Sequence, residues 1–170
     1  MPMTVAQAMT AEFQEEAAST RKMLERVPEE KLAWKPHEKS MSLGKLASHI
    51  AESPSWVASV VDAEELDFAN SDYKPFVGSS TAEILEAFDK HAAGFAEAMK
   101  GKSDEEMLVE WSMKSGDQVI AQLPRVAAVR GFIMSHTYHH RGQLSVYLRM
   151  LDVPVPGVYG PTADDDGGFS

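Results

Sequence analysis

The chain has 170 residues, 44% of them apolar and 25% charged, enough for one domain with a buried core. It carries 16 Lys plus Arg against 26 Asp plus Glu, a formal net charge of −10, which argues against nucleic acid and anionic membrane surfaces as partners. It has no cysteine, which excludes disulfides, zinc–thiolate sites and a thiol nucleophile borne by the protein.

The opening residues MPMTVAQAMTAEF show no basic segment leading into an apolar run, and no stretch is apolar for long enough to span a bilayer. A cytoplasmic protein is the expectation. The first helix is predicted from about Thr4 to Val27. Thr4 and Gln7 can form a capping box, and Met9, Phe13, Ala17, Leu24 and Val27 give a helical stripe that ends near Pro28. After a linker with Trp34 and Pro36, a second helix is predicted from Ser42 to about Asp62. Pro54 should break or kink it near Ile50 to Ser53, because proline lacks an amide donor and clashes one turn back.

A second irregular stretch leads to a third helix, opened by a capping box of Ser80 and Glu83 and closed by Gly101. MLVEWSMKSGDQVIAQLP alternates loosely about Ser115-Gly116-Asp117 and reads as a short hairpin or an extended loop. Pro124 then suits the first turn of a long fourth helix, ending near Met150 or Leu151. Four amphipathic helices with almost no strand predict an all-α four-helix bundle with long inter-helix connections. Residues 1–152 form the expected single domain. Residues 153–170 are irregular, with Val155, Val158 and Tyr159 apolar enough to pack on the bundle or on a dimer partner. A packed strap is the favoured reading of this segment; a gate over a pocket, using Tyr159 or one of Asp164, Asp165 and Asp166, is the alternative.

SHTYHHRGQL, residues 135–144, places three histidines within five residues of the fourth helix. At 100° per residue with His136 at zero, His140, Gln143 and Tyr147 fall at about 40°, −20° and 20°, among Val129, Phe132 and Ile133. That places His136, His140 and Gln143 in the centre of the core-facing stripe, with Arg141 turned away at about 140°. Imidazoles four apart on one face point to the same spot, and in a core each needs a partner. A divalent metal is one such partner; hydrogen bonds within the fold are another. His49 lies within the apolar stripe of the second helix and is the best third ligand. His91 on the third helix favours a hydrogen bond within the fold over a fourth ligand position. His37 suits a loop or capping role and His139 a pocket wall or interface. Trp34, Trp56 and Trp111 read as core or dimer-contact residues.

These residues resemble the DinB-like superfamily, which includes the DinB and YfiT-like metalloenzymes. His136, His140 and Arg141-Gly142-Gln143 match its H-x-x-x-H-R-G-Q signature, and KSMSLGKLASH, ending in His49, matches its second-helix segment. The helix order over nearly the whole chain and the ending Val155-Pro156-Gly157-Val158-Tyr159-Gly160-Pro161 fit as well. The resemblance implies a four-helix bundle of the DinB/YfiT type, a divalent metal (nickel or zinc) on His49, His136 and His140, and a homodimer. Some relatives are thiol S-transferases or isomerases using a low-molecular-weight thiol; many have no assigned activity.

Three protein ligands leave positions open at a metal, the pattern of catalytic sites. The expected function is metal-dependent transfer of a small thiol, or hydrolysis, on a small-molecule substrate. Gln143 and Tyr147 are the candidate residues for orienting a substrate or a ligand water. The alternative is a non-catalytic metal-binding bundle with a structural or sensing role.

Overall fold

The computed structural model describes residues 2–165. Helix α1 (Val5–Leu24) begins at Thr4, whose hydroxyl accepts from the Gln7 amide while the Gln7 side chain accepts from the Thr4 amide. This reciprocal pair satisfies two amides that the first turn leaves free. Helix α2 (Leu43–Glu52) ends where Pro54 withholds its donor. The chain tightens into a 3₁₀ turn, Ser53–Trp56, and resumes as α3 (Val57–Val61). Two side chains supply donors to carbonyls at this break. The Ser53 hydroxyl donates to the His49 carbonyl at 2.7 Å, and His91 Nδ1–H donates to the Ala51 carbonyl at 2.9 Å.

Helix α4 (Thr81–Met99) starts at Ser80, which accepts from the Glu83 amide, but the expected box is only half made. The Glu83 carboxylate takes the Ser79 amide and hydroxyl instead. Gly101 follows the helix at φ 75°, the left-handed position that glycine tolerates. A short α5 (Asp104–Leu108) leads into β2 (Glu110–Ser115) and β3 (Gln118–Pro124), a hairpin turning at Gly116, φ 59°.

The all-α expectation is corrected here. Residues Glu65–Asp67 form a strand, β1, that pairs in parallel with β2, giving a three-stranded sheet in the order β1-β2-β3. Three residues are too few to show an alternation, so the strand left no periodic signal. Its far end is tied to the hairpin by Asp67, which accepts from the Gly116 amide at 2.9 Å. The molecule is mostly helical with this small sheet at one end. Among its helices, α1 and α2 both pack on α4 and on α7 (His136–Met150).

The fourth predicted helix is continuous but not uniform. After α6 (Arg125–Ala128), residues Val129–Ser135 wind as a π-helix before α7 begins at His136. Wider π turns hold extra residues, so the phase slips by roughly one residue, about 100°, relative to an α-helical count. This corrects the helical wheel. The buried residues of α7 are Thr137, Arg141, Leu144 and Leu148, in line with Val129 and Ile133 across the slip. Arg141, expected to face away from the core, is only 3% exposed, while His136, His140 and Gln143 are half-buried on its flank.

Buried side chains form two clusters. One gathers Phe13, Phe95, Trp111 and Ile133 near the sheet; the other gathers Leu46, Ile50, Phe88 and Leu144 at the opposite end. His136 and His140 fall between them along α7, and His49 lies in the stretch of α2 that supplies the second cluster.

Candidate metal centre

Two irregular turns meet at this junction. The 3₁₀ turn after α2 packs against the π-helix and the start of α7, which brings His49 to His136 and His140. His136 Nε2 stands 3.2 Å from His49 Nε2 and 3.0 Å from His140 Nε2, and all three ligand atoms lie within 4.8 Å of one another. The three rings are nearly perpendicular in pairs, with centroids 4.4 to 4.8 Å apart.

Hydrogen bonding alone does not satisfy this trio. Gln143 Oε1 lies 2.7 Å from His140 Nδ1, so that nitrogen carries the proton and His140 Nε2 presents a bare lone pair. A single proton on His136 Nε2 serves one neighbour well, not two. His136 Nδ1 is buried without a partner, so moving the proton there leaves two lone pairs facing each other. A cation resolves this conflict. Three nitrogens at about 2.0–2.1 Å from a tetrahedral zinc stand about 3.3–3.4 Å apart, close to the contacts seen. The residues present therefore fit a divalent ion.

The electrostatics point the same way. Burial lowers the pKa of all three imidazoles. For His136, repulsion from His140, His49 and His139 adds to it, and the group is pushed down to about 4. For His49 the second cause is His140, and for His140 the Gln143 hydrogen bond partly opposes burial. The rings are neutral at pH 7, the form that binds metal.

The other residues singled out in the sequence fall as follows. Gln143 bridges the motif, its amide nitrogen 3.0 Å from His139 Nε2. His139 is exposed and stays outside the trio. Tyr147 is directed elsewhere, its hydroxyl donating to the Met41 carbonyl at 3.3 Å and its ring set edge-on to Trp34. His91 caps the α2 break, and His37 accepts from the Lys39 amide in its loop. Arg141 points to the opposite side of α7. It contacts Glu16 Oε2 at 2.6 Å, donates to the Glu16 carbonyl and the Thr20 hydroxyl, and reaches the Tyr159 hydroxyl at 2.8 Å. Val155 is buried and Val158 packs beside it on the second cluster. Tyr159 is thus held behind the helix, away from the histidines, and Asp164 pairs with Arg149. Asp166 lies outside the described residues.

Three site features escaped the sequence reading. Trp56 packs against both His49 and His136, with centroids 5.5 and 5.3 Å away. Glu52, one turn beyond His49, is 6% exposed and accepts from the Tyr73 hydroxyl at 2.8 Å and the Phe76 amide at 3.1 Å. Burial and then this carboxylate raise the Tyr73 pKa. Next to His49 opens a cavity of about 330 Å³ between α3, the sheet and the linker that contains Tyr73. An acidic residue on the apolar face of α2, three after His49, was the legible signal for Glu52. Tyr73 sits in an irregular stretch that gave none.

The chain belongs to the DinB family, whose sequence profile matches residues 1–166. It is 27% identical over 150 residues to the uncharacterized protein YrdA of Bacillus subtilis (strain 168), covering 88% of this chain and 85% of that protein. A crystal structure of a DinB-like protein from Bacillus cereus ATCC 10987 superposes with a TM-score of 0.70 at 25% identity, covering 94% of this chain and 100% of the other. The DinB-like protein YjoA of Bacillus subtilis shares the fold, with a TM-score of 0.68 at 20% identity over 86% of this chain and 96% of that one. No helix among the described residues is long and apolar enough to cross a membrane.

Proposed function

We propose that this chain is a metal-dependent enzyme acting on a small molecule, with His49, His136 and His140 holding one nickel or zinc ion. The observation that supports it most is the convergence of three Nε2 atoms whose lone pairs no hydrogen-bond pattern among themselves satisfies. A divalent ion held there supplies Lewis acidity and makes a low-molecular-weight thiol or a water a stronger nucleophile near pH 7.

The chain's own residues do the rest. Gln143 fixes the His140 tautomer by accepting its Nδ1 proton, and Trp56 limits how far the His49 and His136 rings can turn. The cavity gives a substrate access to the His49 side of the trio and keeps bulk water from the apolar wall. With no cysteine in the chain, any thiol enters as a cosubstrate. Thiol S-transfer and hydrolysis are the two reactions this arrangement supports.

Elemental analysis of purified protein should find about one divalent ion per chain. Thiol-transfer and hydrolase panels should show turnover that disappears on chelation and returns with the metal. Turnover that survives chelation sinks the proposal. Bound metal that raises stability with no turnover in either panel replaces it with a structural or sensing role.

A further inference from the structure

We propose that the cavity beside His49 selects an uncharged aromatic substrate of one to two rings, an inference that rests on the metal-dependent reading above and names its substrate class. The walls are Trp56, Phe68, Tyr73, Trp111, Met113 and Phe132 together with three aliphatic residues, two serines and His49. Trp111 and Met113 are two apart on β2 and so present the same face of the sheet to the cavity. Trp56, which packs against His49 and His136, lines the cavity as well. Flat π faces and a polarisable thioether favour a flat, polarisable guest over a branched aliphatic one.

Size sets the next limit. An apolar protein cavity of about 150 Å³ accommodates one benzene. At about 330 Å³ this one holds one or two rings, at the small end of ligand pockets.

Charge sets the last. None of the described residues lining the cavity is Lys, Arg, Asp or Glu. A carboxylate or phosphate seated against these walls would lose its water without gaining a cationic side chain, and the one cation nearby, the ion proposed on the His49 side, is taken in this reading by the thiol or water nucleophile. Buried carboxylate Glu52 stands behind the wall, and its acceptor oxygens are taken by Tyr73 and Phe76.

The wall is also held in place. Glu52 fixes Tyr73 and Phe76, and the buried Ser48 hydroxyl accepts from the Gly78 amide at 3.0 Å. A side chain at Gly78 would meet Ile84 Cγ1 at 2.5 Å, so the linker lies against α4 with no room to spare. The linker's aromatic side chain is therefore pinned to α2 from one turn beyond His49, and the slot is formed before a guest arrives.

The test uses metal-loaded full-length protein and two matched probes, nitrobenzene and 4-nitrobenzoate, read by quenching of tryptophan fluorescence. Nitrobenzene should give saturable quenching at least tenfold tighter than the benzoate. Ser59→Phe and Ser71→Phe, which place a ring in the cavity from a helix and from the linker, should each weaken nitrobenzene at least tenfold while metal content is unchanged. Equal affinity for both probes, absence of saturable quenching, or full nitrobenzene binding in both folded variants overturns the proposal. Metal content measured on the same samples separates the two readings. Ring binding in protein that never takes up metal defeats the metal centre and leaves the selective slot standing. A full complement of metal without ring binding defeats the slot alone.

Discussion

Helix α7 carries polar groups inward on two faces, and the faces end differently. On one, Arg141 finds everything it needs within the chain: a carboxylate, a carbonyl, two hydroxyls, and the rings of Tyr138 and Tyr159 at 5.4 and 5.3 Å. On the other, three imidazoles crowd together with one buried nitrogen unpartnered and lone pairs opposed. Both faces come from one decapeptide, so motif membership does not separate structural from functional polarity. Satisfaction does. A polar group whose partners are complete is part of the fold, and a cluster of groups whose lone pairs converge on one point without donors is a candidate site for a partner the fold does not contain.

The sharpest way to break this contrast is His136→Ala. Metal content should fall from about one ion per chain to none. In the parent, metal at a hundredfold excess over its Kd should stabilise by about 2.7 kcal/mol and raise the Tm by roughly 5–10 °C, and the variant should lose that rise. A full rise in the variant places the metal elsewhere. Next is Arg141→Ala, which leaves the Glu16 carboxylate without its cation. It should cost about 3 kcal/mol by urea denaturation while metal content stays the same. Arg141→Lys should recover only part, since a lysine cannot fork between Glu16 and Tyr159 or stack on both rings. A stable Arg141→Ala protein that loses metal would reverse the roles given to the two faces.

Smaller effects sharpen the picture. Gln143→Ala should weaken metal binding about 10- to 100-fold in a competition titration, and Gln143→Glu should keep most of it, because a carboxylate also accepts the His140 Nδ1 proton. The smallest effect concerns the segment behind Arg141. Asp164 is held below the usual carboxylate range, first by Arg149 and then by the Val155 amide. The folded state therefore takes up this proton less readily than the unfolded chain. The contact stabilises at neutral pH and is lost as pH falls below that range. Hydrogen exchange at the Val155 amide should quicken on acidification, and Asp164→Asn should flatten that dependence.

The sequence showed what depends on near neighbours. Thr4 with Gln7, the break at Pro54 and the turn at Gly116 are set within a few residues and could be read directly. So could the shared face of His136 and His140, which are four apart. It did not show what depends on distant packing. Val129–Ser135 has an apolar spacing that an α-helix would also satisfy, and nothing local marks its π winding or its packing against the 3₁₀ turn after α2. The wheel therefore assigned Arg141 to the outside. Residues 65–67 become a strand only because β2 lies alongside. Glu52 and Tyr73 are 21 residues apart and meet only when the linker folds back on α2.

The π-helix can also be viewed as genetics. It holds about one residue more than an α-helical path between the same two ends would need. Removing a single codon within 129–135 should let the segment relax to α pitch with Val129 still facing the core and His136 still facing His49. An alignment of relatives should then tolerate a one-residue gap here, although it lies beside His136. A gap of the same size between His136 and His140 would separate the pair for good. Two neighbouring stretches of one helix thus differ sharply in how much length variation they can absorb, and the more permissive one adjoins the site.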